Sequence, residues 1–338
     1  MFRADDIPMT SQLHGDPNYA LLAAESIRER LEQFVQEIDG VRHRAKEDIE
    51  HVHRMRVASR RLRACFALFE ACLPAPDFAK WTKPLRRITK QLGAARDVDV
   101  QIDFLNGFLK EFAGKSHRQG IERLLLRLGQ RRETLQAGVL KALDKLEKSK
   151  LLAELEQMVL QLRVQANLKD AQINATPVRV RARELIVARL ENMLVFEPYV
   201  EQEEKGEELH QMRIATKRLR YAMEIFNPAF DGRLKEFIEP AKKVQALLGD
   251  LQDCEVWSAF MREFEDEERR RTQEFFGHVR PMGRVIPGLH FLARNRTERR
   301  KEIYAQFVAF WLELNLAQTW RRLLAGLEEL AQSPAPQP

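Results

Sequence analysis

A basic motif occurs twice in this chain, and the spacing of the two occurrences constrains the fold more than any other feature. Residues 53–63 read HRMRVASRRLR, and residues 210–220 read HQMRIATKRLR. A second pair of similar stretches follows, PLRRITKQLGAARDVDV at 84–100 and PAKKVQALLGDLQDCEV at 240–256. The offset is 157 residues for the first pair and 156 for the second. A nearly constant offset over two separated motifs indicates that a whole structural unit is duplicated.

Both copies lie in stretches whose apolar residues recur with the period of an α-helix. Glycine is scarce, at 15 of 338 residues, and the 14 prolines fall mostly between these periodic stretches. The sequence therefore predicts an all-α fold of two pseudo-twofold-related helical bundles, with about four long helices each plus extra ones. The predicted segments are a flexible N-terminus at 1–14, bundles at 15–170 and 177–330, a linker at 171–176 and a disordered tail at 331–338.

Two glycines are expected to end helices inside the repeated region. Gly93 would separate helices at 77–92 and 96–112, and Gly249 would separate helices at 233–249 and 252–278. Further along, the apolar period predicts one uninterrupted helix over residues 298–329.

Positive charge is concentrated around the first copy of the motif. Between His53 and Arg96 there are eleven Lys or Arg and only two acids, Glu70 and Asp77, so these 44 residues carry a net charge of +9. The whole chain carries only +6. A local surplus of this kind is typical of proteins that bind polyanions.

Helical geometry places the motif cations on one stripe, opposite the apolar face. Such a stripe is usually a solvated helix face, but here it lacks the interleaved acids that normally balance one, and it recurs in both copies. Arg61 and Arg218 fall off the stripe and are expected to pair with acids such as Asp97 and Asp253. The candidate binding residues are His53, Arg56, Arg60, Arg63, Arg86, Lys90, His210, Arg213, Lys217, Arg220 and Lys242.

The role of the two histidines is left open by the sequence. His53 and His210 could be anion ligands, metal ligands or structural residues, although neighbouring cations would repel a metal and no acid or cysteine accompanies them at ligand spacing. No nucleotide-binding loop, catalytic triad or zinc-protease motif is present. We therefore expect no cofactor, no metal and no catalytic residues.

The expected location is the cytoplasm. No apolar run is long enough to cross a bilayer, and the first residues do not resemble a secretory leader. The chain has three cysteines, Cys65, Cys72 and Cys254. Their odd number and the absence of disulfide or zinc spacing favour a reducing compartment.

The two motif pairs resemble the CHAD family, the conserved histidine α-helical domain. The resemblance extends over residues 15–330, so that both halves would form one CHAD domain. It implies two helical bundles flanking a basic central groove or pore, binding of inorganic polyphosphate and, in some members, association with polyphosphate granules. Many members lie beside a CYTH-type triphosphate-hydrolysing domain, whose ExExK motif is not found here.

The resemblance and the charge pattern together predict a protein that binds inorganic polyphosphate without enzymatic activity. One alternative is binding to the backbone of RNA or single-stranded DNA. A second is a phosphohydrolase or phosphotransferase that uses His53 or His210. The near absence of aromatic residues from the motif disfavours a reader of nucleic-acid bases, which would need stacking platforms.

Overall fold

The structure, a computed structural model, describes residues 16–45, 48–112 and 114–332 and confirms the all-α fold class. These residues form ten α-helices and contain no β-strand. No helix in these ranges is long and apolar enough to cross a membrane. The helices are α1 Pro17–Gln36, α2 Glu50–Leu68, α3 Ala75–Phe112, α4 Lys115–Lys148, α5 Leu151–Asn167, α6 Thr176–Leu194, α7 Gly206–Phe226, α8 Lys235–Phe276, α9 Ile286–Leu316 and α10 Thr319–Gln332.

Local sequence signals set several helix ends. Asp16 caps α1, because its carboxylate accepts hydrogen bonds from the amides of Asn18 and Tyr19, and Pro17 supplies the first helical residue. Helix α8 ends at Gly277, whose φ of 72° lies in the left-handed region that glycine adopts without strain.

The expected helix breaks at Gly93 and Gly249 are wrong. Helix α3 runs without interruption through Gly93 and contains Pro84, and α8 runs through Gly249 and contains Pro240. A Cβ atom on Gly249 would lie 3.3 Å from Nε of Arg213, so this glycine lets a side chain of α7 approach the α8 backbone closely. A glycine inside a helix costs about 1 kcal/mol, which tertiary packing readily offsets.

The single helix expected at 298–329 is also wrong. Helix α9 starts earlier, at Ile286, and ends at Leu316, and α10 starts at Thr319. Between them Gln318 adopts a φ of 52°, a left-handed conformation that interrupts the helical path.

The described residues form two compact units that do not follow chain order. The first unit consists of residues 16–92 and 140–179, and the second of 93–139 and 180–332. Residues 93–139, predicted to belong with the first bundle, therefore pack with the later part of the chain. The pseudo-twofold relation and the central groove stay predictions. The N-terminal segment 1–14 and residues 333–338 of the tail lie outside the described residues, whereas residues 331 and 332 end α10.

The core of the first unit lies where α1 packs against α2 and α5. Phe34 of α1 and Phe66 of α2 are completely buried in it. The hydroxyl of Tyr19 donates a hydrogen bond of 3.0 Å to the carbonyl of Leu68, and its ring packs 5.1 Å from that of Phe69. These contacts fix α2, which carries the first copy of the motif.

The core of the second unit combines residues from α3, α4, α8 and α9. Its aromatic contacts join helices that are far apart in sequence: Phe104 of α3 lies 5.2 Å from Trp257 of α8. Its buried members are Val98, Leu105, Phe108, Ile121, Leu124, Leu128, Trp257, Met261, Phe264, Leu289 and Leu292. This core holds the middle of α8 in place, and α7 packs along the same helix.

Candidate functional site

The apolar side of the motif is buried in both copies. Met55 and Leu62 of α2 are fully buried, as are their counterparts Met212 and Leu219 of α7. The buried hydroxyl at the intervening position serves the helix itself. Ser59 donates to the carbonyl of Arg56, and Thr216 to that of Met212, each at 2.8 Å. Anchored on this side, each helix directs its cations away from the core.

Four predicted cations of the first unit have no carboxylate partner among the described residues. Arg60 and Arg63 of α2 are half-buried, and Arg86 and Lys90 of α3 are exposed. None of the four forms an ion pair with a carboxylate among the residues that the structure describes. Burial, followed by the charges of Arg86 and Arg60, lowers the pKa of Arg63 below its usual value. Arg60, Arg63 and Arg86 therefore form a cluster of like charges, which we call the first-copy cluster together with Lys90.

His53 and Arg56 lie on α2, the helix that carries Arg60 and Arg63 of this cluster. Both side chains are half-buried. Arg56 lies about one turn before Arg60, and His53 lies about two turns before it. Their spacing of three and four residues brings His53, Arg56 and Arg60 onto one side of α2, as the sequence predicts.

In the second unit the corresponding residues of α7 are more tightly engaged. His210, Arg213, Lys217 and Arg220 are all half-buried. The guanidinium of Arg220 forms an ion pair of 2.7 Å with Glu224 and donates a hydrogen bond of 3.0 Å to Gln245 of α8.

Two further contacts engage cations of the second copy with side chains of the same unit. The guanidinium of Arg220 also lies 4.7 Å above the ring of Tyr221, so one face of that ring is covered. On α8, the exposed Lys242 forms an ion pair of 2.7 Å with Glu239. Arg220 and Lys242 thus each have an acidic partner, whereas Arg63 and Arg86 have none in the part of the chain that the structure describes.

Arg213 reaches the α8 backbone at Gly249 and carries a buried polar atom. Its Nε is buried without a hydrogen-bond partner among the described residues. It also lies close to Asp250. Burial raises the pKa of that carboxyl, and the charges of Arg299 and Arg213 partly oppose the rise. Asp250 is not among the residues predicted from sequence, although comparison of the copies signals it, since the first copy has Ala94 at this position.

The imidazole of His210 is half-buried, and one of its two ring nitrogens is shielded from solvent. Its Nδ1 is buried and has no hydrogen-bond partner within the described ranges, which leaves Nε2 as the nitrogen that could meet a ligand. Over the same ranges, no group of three or more His, Cys, Asp or Glu side chains is placed to hold a metal ion. The expected pairing of Arg61 and Arg218 with Asp97 and Asp253 stays a prediction.

Comparison with known proteins agrees with this architecture. No curated protein matches the chain. The crystal structure of the CHAD domain from the plant Ricinus communis is similar, with a TM-score of 0.60 at 22% identity over 98% of this chain and 99% of that one. PptA from Streptomyces chartreusis is similar with a TM-score of 0.56 at 14% identity, over 88% of this chain and 100% of that one.

At these identities the two structures establish a shared fold. The family model for the CHAD domain matches residues 25–262, which is more than two thirds of the chain and includes both copies of the motif. The chain therefore belongs to the CHAD domain family.

Proposed function

We propose that this protein binds inorganic polyphosphate through the repeated cations and does not turn it over. The observation that carries this proposal is the first-copy cluster. Like charges close together repel one another, and burial of Arg63 adds a desolvation cost. A bound polyanion would offset both costs.

The family supports the same ligand, because polyphosphate binding is a known property of CHAD domains. The chemistry of the side chains also fits. Arginine offers a planar fork of donors to phosphate oxygens, lysine offers a compact charge, and an imidazole can donate from one nitrogen. Polyphosphate presents one phosphate after another without bases, so a row of such donors is sufficient.

Nucleic acid is the weaker candidate for this surface. Proteins that bind single strands combine cations with exposed aromatic rings on which bases stack. The stretches 53–63 and 210–220 contain no aromatic residue, and the guanidinium of Arg220 already covers one face of Tyr221, the residue that follows the second stretch. We therefore propose that RNA or single-stranded DNA competes poorly with polyphosphate.

Binding without catalysis is proposed on the composition of the site. Its side chains are cations and two imidazoles, and no described group of carboxylates, histidines or cysteines is arranged as a metal site that could activate water. His53 and His210 are then ligands or structural residues. We further propose a cytoplasmic location, with association with polyphosphate granules, and the three buried free cysteines fit a reducing compartment.

The experiment is a calorimetric titration of the purified protein with long-chain polyphosphate. The double variant Arg86→Glu/Lys90→Glu should bind at least about tenfold more weakly, since both side chains are exposed members of the first-copy cluster. The matched control, Lys141→Glu/Lys301→Glu, makes the same charge change at two exposed lysines outside the motif.

Three results would contradict the proposal. The first is an equal loss in both double variants, which would mean that only net charge matters. The second is RNA displacing polyphosphate at equal phosphate concentration, which would favour a nucleic-acid binder. The third is steady release of phosphate from polyphosphate, which would favour an enzyme.

A further inference from the structure

The two copies of the duplicated unit differ strongly in charge at equivalent positions. Residues 80–96 contain six Lys or Arg and no acid, whereas their counterparts 236–252 contain two Lys and three acids. Residues 53–69 contain five Arg and no acid, whereas 210–226 contain four cations and Glu224. The difference is therefore present on both helices that carry the repeated motifs.

The clearest difference lies one turn beyond the last arginine of the motif. Arg63 and Arg220 are equivalent, but the residue four positions later is Ala67 in one copy and Glu224 in the other. Glu224 forms an ion pair with Arg220, and the Arg220 side chain is only 12% exposed. Arg63 has cations as its charged neighbours instead. An incoming phosphate would have to displace a half-buried carboxylate at Arg220, but no carboxylate among the described residues at Arg63.

A second difference lies on the following helix. Lys83 of α3 corresponds to Glu239 of α8, and both side chains are exposed. Glu239 forms an ion pair with Lys242, the counterpart of Arg86. This surface pair is weak in itself, but it places a negative charge where the first copy has a positive one.

We propose that polyphosphate is held chiefly by the first-copy cluster, and that Glu224 and Glu239 restrain the cations of the second copy by competing with phosphate for Arg220 and Lys242. This inference rests on the proposed function. It assigns the two acids a role as built-in competitors, and it makes the first copy the stronger of the two in binding polyphosphate.

Exchanging the residues between the copies tests the first competitor. Ala67→Glu places an acid four residues after Arg63, as in the second copy, and should weaken polyphosphate binding about threefold to tenfold. Glu224→Gln keeps a hydrogen-bonding side chain beside Arg220 but removes its charge, and should strengthen binding by a similar factor. The salt dependence of log K should become shallower by about one in the first variant and steeper by about one in the second.

Matched controls separate competition from a change in net charge. Glu122→Gln removes an acid from an exposed ion pair with Arg118 at the same four-residue spacing, outside the motif. Ala325→Glu adds an acid at an exposed alanine of α10. Neither control should change affinity by more than about twofold, because screening weakens exposed charges that lie far from the ligand.

The second pair of variants tests Glu239 independently at exposed positions, where the fold tolerates either charge. Lys83→Glu should weaken binding, and Glu239→Lys should strengthen it. All variants should keep the far-ultraviolet circular dichroism and the melting temperature of the parent protein.

The outcomes distinguish this inference from the function on which it rests. If the parent protein fails to bind polyphosphate, the proposed function is wrong. If it binds, but the exchanges at 67/224 and 83/239 change affinity no more than the controls do, then the copies contribute equally and the inference is overturned.

Discussion

Glu268 shows how a single buried charge is stabilised in this fold. Its side chain is 2% exposed, and two arginines of α4 donate to it, Arg123 at 2.6 Å and Arg127 at 2.5 Å. Burial pushes the pKa of Glu268 up, but the hydrogen bonds from Arg127 and Arg123 outweigh it, so the net shift is downward. A carboxyl whose pKa is lower in the folded state stabilises the fold above its unfolded pKa. This contribution is lost as the pH falls through the folded pKa.

We predict that Glu268→Gln lowers the free energy of unfolding at pH 7 by about 1–3 kcal/mol, because it removes the charge that pairs with both arginines and turns an NH2 donor toward one of them. The deficit should shrink as the pH falls below the ordinary range of glutamate, where the parent protein also loses the charge. Urea unfolding at pH 7 and near pH 3 measures the loss of unfolding free energy at each pH. Glu122→Gln removes an acid from an exposed pair with Arg118 and should leave the free energy of unfolding nearly unchanged at both pH values. A deficit of the same size at both pH values would show that the charge of Glu268 is not responsible.

At the scale of elements, α4 and α9 approach each other closely at two glycines. A Cβ atom on Gly288 would lie 3.0 Å from Cα of Gly120 and would overlap the carbonyl oxygen of His117. A Cβ atom on Gly120 would overlap the carbonyl oxygen of Val285. These are backbone atoms, which cannot move aside as a flexible side chain can.

We predict that Gly288→Ala destabilises the protein by about 1–3 kcal/mol, the usual range for overpacking a close contact. Gly129→Ala is the matched control within α4, since an added Cβ there meets nothing within 4 Å. That substitution should stabilise the protein by about 0.5–1 kcal/mol through its helix propensity. In thermal unfolding, the melting temperature should therefore fall in Gly288→Ala and rise in Gly129→Ala. An equal effect in both would mean that the helices do not meet at Gly288.

For the whole molecule, a row of cations that binds a linear polyanion releases condensed counterions. We predict that log K falls linearly with log salt, and with a steep slope, because the cations of the first-copy cluster each neutralise a phosphate. Triphosphate should bind far more weakly than long chains, since it has too few phosphates to meet these cations. Calorimetric titration across salt concentration and chain length measures both trends. Full affinity for triphosphate with a shallow slope would indicate a compact pocket instead.

The sequence by itself determined the helical class and the orientation of the motif on its helices. These follow from local periodicity: Met55 and Leu62 recur at helical spacing and are buried, so Arg56, Arg60 and Arg63 must lie on another side of the same helix. The four-residue spacing of Arg220 and Glu224, which permits their ion pair, is likewise a property of the sequence.

Only the tertiary structure decided which segments pack together and which cations are balanced. Gly249 resembles a helix end, yet α8 continues through it because Arg213 of another helix packs against it. Residues 93–139 join the later part of the chain, and Gln245 binds Arg220 across 25 residues. Helical periodicity identifies the buried face of each helix but not the helix that covers it. Contacts between distant segments depend on the packing of complete helices, so the charge balance of the site became visible only in the fold.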